Sequence, residues 1–188
     1  TTSNQAQLTE PQTTFPKNVV TNNSSGKEEV NFGISARVAC VGTTIEFNIE
    51  NQDANGNYLW NFGDGNFSNQ PDPSHTYYKP GAYDVTLSVA STNDGVIRTK
   101  TIDNMIVVNP SPEGDFEWEF INNSEEKPTV QIVNKSTRAE SCTWIVDEGA
   151  TNSEINPSVE FSTKGEHVVH LQVSNEFGCI DHKYKYIN

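Results

Sequence analysis

From Phe32 onward the chain is written in short runs that alternate apolar and polar residues. Thr44 to Ile49 places Ile45, Phe47 and Ile49 on one side and Thr44, Glu46 and Asn48 on the other. Tyr83 to Val89 repeats the pattern with Tyr83, Val85, Leu87 and Val89. A period of two is what a strand shows when one face is buried and the other is wet. Met105-Ile106-Val107-Val108 is a short continuous apolar run, as expected of a closing strand. Turn-forming groups separate the runs, among them Asn55-Gly56, Gly63-Asp64-Gly65, Pro80-Gly81 and Asn93-Asp94-Gly95. No stretch sustains the spacing of an amphipathic helix. Many short strands with closely spaced turns predict an all-β sandwich.

The pattern stops and restarts. Asn109-Pro110-Ser111-Pro112-Glu113-Gly114 reads as a short, semi-rigid joint. Beyond it Phe116, Trp118 and Phe120 alternate with Glu117 and Glu119, and Val130, Ile132 and the Val168 to Val173 run follow. Trp60 and Trp144 lie 84 residues apart, and Lys79 to Val89 aligns with Thr163 to Val173 at the same separation. Two features sharing one offset point to an internal repeat. The expected organisation is a Thr/Asn/Gln/Ser-rich flexible stalk over 1–30, a first domain over 31–109, a linker over 110–114 and a second, degenerate domain over 115–188. Hydrophobic residues make up only 34% of the 188, which suits two thin sandwiches better than one broad core.

Charge narrows the function. Twenty-five acidic residues against 12 basic give a net charge of -13, which repels phosphate backbones and disfavours nucleic acid as a partner. No apolar run approaches the ~20 residues that cross a bilayer, so no membrane insertion by this segment is expected. The chain begins at Thr1 with no visible signal peptide, and the expectation is a piece of a larger exported protein.

Three ordered motifs then carry a resemblance. Trp60-Asn61-Phe62-Gly63-Asp64-Gly65, Pro73-Ser74-His75-Thr76-Tyr77 and Pro80-Gly81-Ala82-Tyr83-Asp84-Val85-Thr86-Leu87-Ser88-Val89 resemble the signature of the PKD (polycystic kidney disease) domain. Asn61 replaces the usual Asp. The second half resembles the family weakly, because Asp147-Glu148 stands where Gly-Asp is expected and the His-Tyr motif is missing, with Phe161 a candidate for the place of Tyr77. The resemblance implies two tandem immunoglobulin-like β-sandwiches of PKD type. Trp60, Asp64, His75, Tyr77 and Trp144 are expected to be structural, with the indoles in cores, Asp64 satisfying turn amides and His75 bonding the neighbouring turn.

Candidate sites are few. Asp53-Ala54-Asn55-Gly56-Asn57 offers side-chain oxygens at Asp53, Asn55 and Asn57, and it is similar to a calcium loop of some PKD domains in bacterial proteases. A single carboxylate lowers the expected affinity, and a plain Asn-Gly turn is the favoured reading. No other cofactor is expected. In an immunoglobulin-like order Cys142 and Cys179 share a sheet or its edge, so they are the pair that a disulfide could join, with Cys40 left as a buried thiol. His167 and His170 are three apart on a strand and point to opposite faces, so they do not hold a metal together. There is no Gly-x-Ser-x-Gly, His-Glu-x-x-His or phosphate-binding loop, and no catalytic residue is expected.

The resulting expectation is a non-catalytic spacer and interaction module. It would present a surface to a protein or glycan partner at the cell envelope, either outside the cell or in the periplasm. Its Thr/Asn-rich texture is similar to that of surface proteins of the Bacteroidetes group, including adhesins and secretion or gliding components. The alternative is a carbohydrate- or protein-binding targeting module of a secreted hydrolase. That alternative predicts exposed aromatics, with Tyr77, Tyr78, Tyr184 and Tyr186 the candidates.

Overall fold

The computed structural model describes residues 30–50, 56–92, 94–149 and 151–188. Every regular element among them is a strand. In the first half these are β1 (Phe32–Ile34), β2 (Val38–Cys40), β3 (Thr44–Ile49), β4 (Asn57–Asn61), β5 (Phe67–Ser68), β6 (Ser74–Thr76), β7 (Gly81–Ala90) and β8 (Ile97–Asn109). A three-stranded sheet ordered β1-β3-β6 faces a five-stranded sheet ordered β2-β8-β7-β4-β5. All pairings are antiparallel except β2 with β8, which run parallel and match Cys40 with Asn109.

The second half repeats this plan with β9 (Phe116–Asn122), β10 (Thr129–Asn134), β11 (Ser141–Val146), β12 (Thr151–Asn152), β13 (Ser158–Glu160), β14 (His167–Ser174) and β15 (Ile180–Ile187). One sheet is ordered β13-β10-β9 and the other β12-β11-β14-β15. Alternation drives both halves. Ile45, Phe47 and Ile49 of β3 and Val85, Leu87 and Val89 of β7 turn inward, as do Val169, Leu171 and Val173 of β14. Removing that apolar area from water is the main stabilising term for such thin sandwiches.

The buried residues form two separate clusters. Trp60 sits in one with Phe32, Phe47, Phe62, Tyr77 and Ile106, and Trp144 in the other with Phe116, Ile132, Phe161 and Leu171. Each indole meets a phenylalanine edge-on, Trp60 with Phe32 at 5.0 Å and Trp144 with Phe116 at 5.2 Å between ring centroids. Each also donates its N–H to a backbone carbonyl, Trp60 to Gln70 and Trp144 to Glu154, both at 2.9 Å. These acceptors are again 84 residues apart, so the repeat extends to hydrogen bonds that the side chains alone do not reveal. The Pro73 and Pro157 carbonyls extend it further, accepting from Phe47 N and Ile132 N.

The cysteines pair differently from the expectation. Cys40 is bonded to Cys179, with 5.7 Å between Cα atoms, and Cys142 is the buried free thiol. The reason is positional. Cys142 points into the second core from β11, whereas Cys179 lies at the β14–β15 turn beside the linker. Cys40 ends β2 opposite Asn109, the last residue before the linker, so it faces the same junction.

The linker is held on both sides. Glu113 and Thr137 exchange backbone hydrogen bonds, Gly114 N donates to Asp181 Oδ2 at 2.8 Å, and Arg138 Nε donates to the Ser111 carbonyl at 2.9 Å. Asn175 Nδ2 donates to the Pro110 carbonyl at 2.8 Å, while Ser111 Oγ reaches back to the Val41 carbonyl at 3.4 Å. Pro112 and Gly114 are buried. The segment is thus part of the second sandwich more than a free joint.

Candidate functional site

Three places carry side chains whose arrangement goes beyond core packing. The first is the Gly63–Gly65 turn. Gly63 adopts φ 82°, and a Cβ there would lie 2.4 Å from the Asp84 carbonyl oxygen, so the position requires glycine. The turn lets Asp64 accept from Asn66 N and also meet His75, whose Nε2–H donates to Asp64 Oδ2 at 2.8 Å. His75 stacks on Phe62 at 4.2 Å, and the Tyr77 hydroxyl donates to the Phe62 carbonyl. Burial pulls the Asp64 pKa up, but its bonds to His75 and Asn66 outweigh that and hold it below the ordinary 3.8. Burial pushes the Tyr77 phenol far above its usual range. The partners named here all lie inside the sandwich or its turn.

The second place is the matching turn of the second sandwich, where the residues differ but a similar pairing is rebuilt. Asp147 occupies the Gly63 position and Glu148 the Asp64 position, with φ of 47° and 58°. Asp147 Oδ1 accepts from Val168 N, and its Oδ2 accepts from His167 Nδ1 at 2.6 Å. His167 takes the place of Tyr83 and stacks on Phe161 at 4.1 Å, much as Tyr83 contacts Tyr77 in the first sandwich. Its Nε2 faces the Thr163 carbonyl at 2.8 Å. Two acceptors facing two ring nitrogens are both satisfied only by the imidazolium. Burial opposes the charge, but Asp147 and Thr163 prevail and raise the His167 pKa above 6.5. The sequence showed Phe161 in the place of Tyr77 but hid this Asp–His pair, because its members come from different motif positions.

The third place is the outer face of β14 and β15. Ile180, His182, Tyr184 and Tyr186 alternate outward on β15, and His170 joins them from β14. Tyr184 and Tyr186 are 58% and 60% exposed and Tyr78 is 78% exposed, while Tyr77 is 1% exposed in the core. His170 lies parallel to Tyr184 at 4.1 Å, and its Nε2 is 2.9 Å from His182 Nδ1. Burial, and to a lesser degree His182, lower the His170 pKa.

Asp53 and Asn55 of the candidate calcium loop lie outside the described residues, and Asn57 opens β4 with its side chain exposed. Among the described residues no three His, Cys, Asp or Glu side chains group closely enough to hold a metal. Trp118 packs on the second core beside Phe116, whereas Phe120 on the same strand is partly exposed.

Comparison with known proteins places the chain. Residues 27–107 match the PKD domain family. A microbial collagenase of Vibrio alginolyticus is 40% identical over 90 residues, covering 46% of this chain and 9% of that protein. Collagenase ColA of Clostridium perfringens (strain 13 / Type A) is 35% identical over 117 residues, 54% of this chain and again 9% of the relative. Among solved structures, the PKD1 domain of the Vibrio cholerae metalloprotease PrtV is 23% identical with a TM-score of 0.36, covering 41% of this chain and 94% of that domain. Over residues 27–107 the chain is similar to the PKD domain family, and every regular element among the described residues is a strand. It spans about a tenth of the length of the curated relatives that it matches.

Proposed function

We propose that this chain is a non-catalytic spacer and interaction module of an exported bacterial protein, holding two sandwiches at a set angle and presenting their outer faces to a protein or glycan at the cell envelope. The observation that carries the reading is the Cys40–Cys179 bond across the linker. A module whose task is to position a surface gains from a fixed joint, and a disulfide persists in the oxidising compartments outside the cytoplasm. No helix among the described residues is long and apolar enough to cross a membrane. The PKD match and the bacterial collagenase relatives support an extracellular setting and a role beside, not within, a reaction centre.

A second reading has its own support. The relatives are collagenases, and Tyr184 and Tyr186 stand exposed on one strand, which suits a module that directs a hydrolase to a fibrous protein or polysaccharide. Pull-down with insoluble collagen, cellulose and chitin separates the two. The spacer reading predicts no retention above that of an unrelated acidic protein. Retention lost in Tyr184→Ala/Tyr186→Ala would establish targeting instead.

A further inference from the structure

The His170–His182 pair has no role in either core. His170 Nε2 and His182 Nδ1 face each other at 2.9 Å on the solvent side of the last two strands. At that distance one nitrogen carries a proton and the other must present its lone pair. The contact is therefore a hydrogen bond whose proton a cation can replace. The backbone fixes the arrangement, because His170 sits opposite Tyr184 and His182 opposite Gln172, which makes the two histidines diagonal neighbours across β14 and β15. Tyr184 holds the His170 ring parallel to its own, within 5°.

We propose that His170 and His182 form a surface site for a transition-metal dication of the copper(II) or nickel(II) class. Metal–imidazole bonds are about 2.0–2.1 Å long, so nitrogens 2.9 Å apart subtend about 90° at a shared metal. A right angle is the cis relation of square-planar and tetragonal coordination, and among divalent metals copper(II) binds imidazole nitrogen most tightly. Imidazole donors suit these borderline metals, and calcium, which wants oxygen, is excluded. Each ring needs only a tilt to turn its lone pair from the other nitrogen to the common point, and exposed His182 has room for it. With no third protein ligand among the described residues, water fills the remaining positions. The other two histidines are engaged elsewhere, His75 with Asp64 and His167 with Asp147 and Thr163.

The test is titration of the tag-free, disulfide-intact chain with Cu²⁺ alone, read by calorimetry and by paramagnetic broadening of NMR signals. Broadening should centre on His170, His182 and Tyr184 and spare His75 and His167. Electron paramagnetic resonance should show two nitrogen ligands in a tetragonal site. His182→Asn and His170→Asn should each weaken the calorimetric site at least tenfold, and Tyr184→Phe should leave it in place. The metal-free thermal midpoint of His182→Asn, whose side chain is exposed, controls for folding. Equal Cu²⁺ affinity in wild type and the double variant, or broadening centred elsewhere, overturns the proposal.

Discussion

Replacing both Cys40 and Cys179 by serine removes the cross-link without leaving a new free thiol, and its cost follows from the loop it closes. The bonded residues are 139 apart. If both sandwiches unfold together, the chain-entropy relation gives about 5 kcal/mol of stabilisation lost. If the second unfolds while the first stays folded, the flexible loop runs only from the linker to Cys179, roughly 70 residues, and the loss is about 4 kcal/mol. Either figure is an upper value, since strain and residual structure in the denatured state reduce it. Urea unfolding followed by tryptophan fluorescence suits the question because Trp60 and Trp144 report separate cores. With a slope of about 2 kcal/mol/M, the variant midpoint should fall by up to about 2.5 M. Wild type in reductant should shift by the same amount. Coincident curves for wild type with and without reductant and for the variant would refute the reasoning, since a bond across the linker cannot be thermodynamically silent if both cores depend on it.

Three further outcomes follow from the turns. His167 is held above its unfolded pKa, so its contribution is complete below about pH 6.5 and is lost as pH rises through the higher folded value; thermal unfolding of the second core should weaken over that alkaline step, and Asp147→Asn should abolish the step. Asp64 has the opposite sign, with a lowered pKa whose contribution is present above 3.8 and fades as pH falls through the folded value, so the first core should weaken in acid and Asp64→Asn should flatten that limb. Gly63→Ala adds a Cβ against the Asp84 carbonyl at a left-handed φ and should cost the first core more than about 2 kcal/mol in urea unfolding, whereas Glu148→Gly relieves a left-handed non-glycine residue and should raise the second core's midpoint by up to about 1 kcal/mol in stability.

Much of the fold was legible because period-two alternation is a direct record of which side chains face a core. Ile45, Phe47, Val85, Leu87 and the two indoles all turn inward as their spacing implies. His75 was expected to bond the neighbouring turn, and it does so through Asp64, although the two residues come from separate motifs. The disulfide was not legible. Reading each repeat by itself pairs cysteines within a repeat, and only the placement of the β14–β15 turn against the linker brings Cys179 to Cys40. Cys40 sits on the strand that meets Asn109, the residue from which the linker departs, and that long-range pairing leaves no local pattern to read. Which face of β15 turns outward could not be read from alternation. Tyr184 and Tyr186 alternate like core residues, yet Lys183 and Lys185 occupy the inner positions of β15, where Lys185 places its ammonium over the Phe116 ring and pairs with Asp115. A long lysine stem can line the edge of a core while its charge escapes, so alternation alone does not say which set is buried.

The proposed fixed joint between the sandwiches is most directly tested by residual dipolar couplings of the weakly aligned, oxidised chain. Couplings from residues 31–109 and from residues 115–188 should fit one alignment tensor and the sandwich arrangement seen here, then separate into two tensors when the Cys40–Cys179 bond is removed. Two tensors of different magnitude in the oxidised protein would contradict the account.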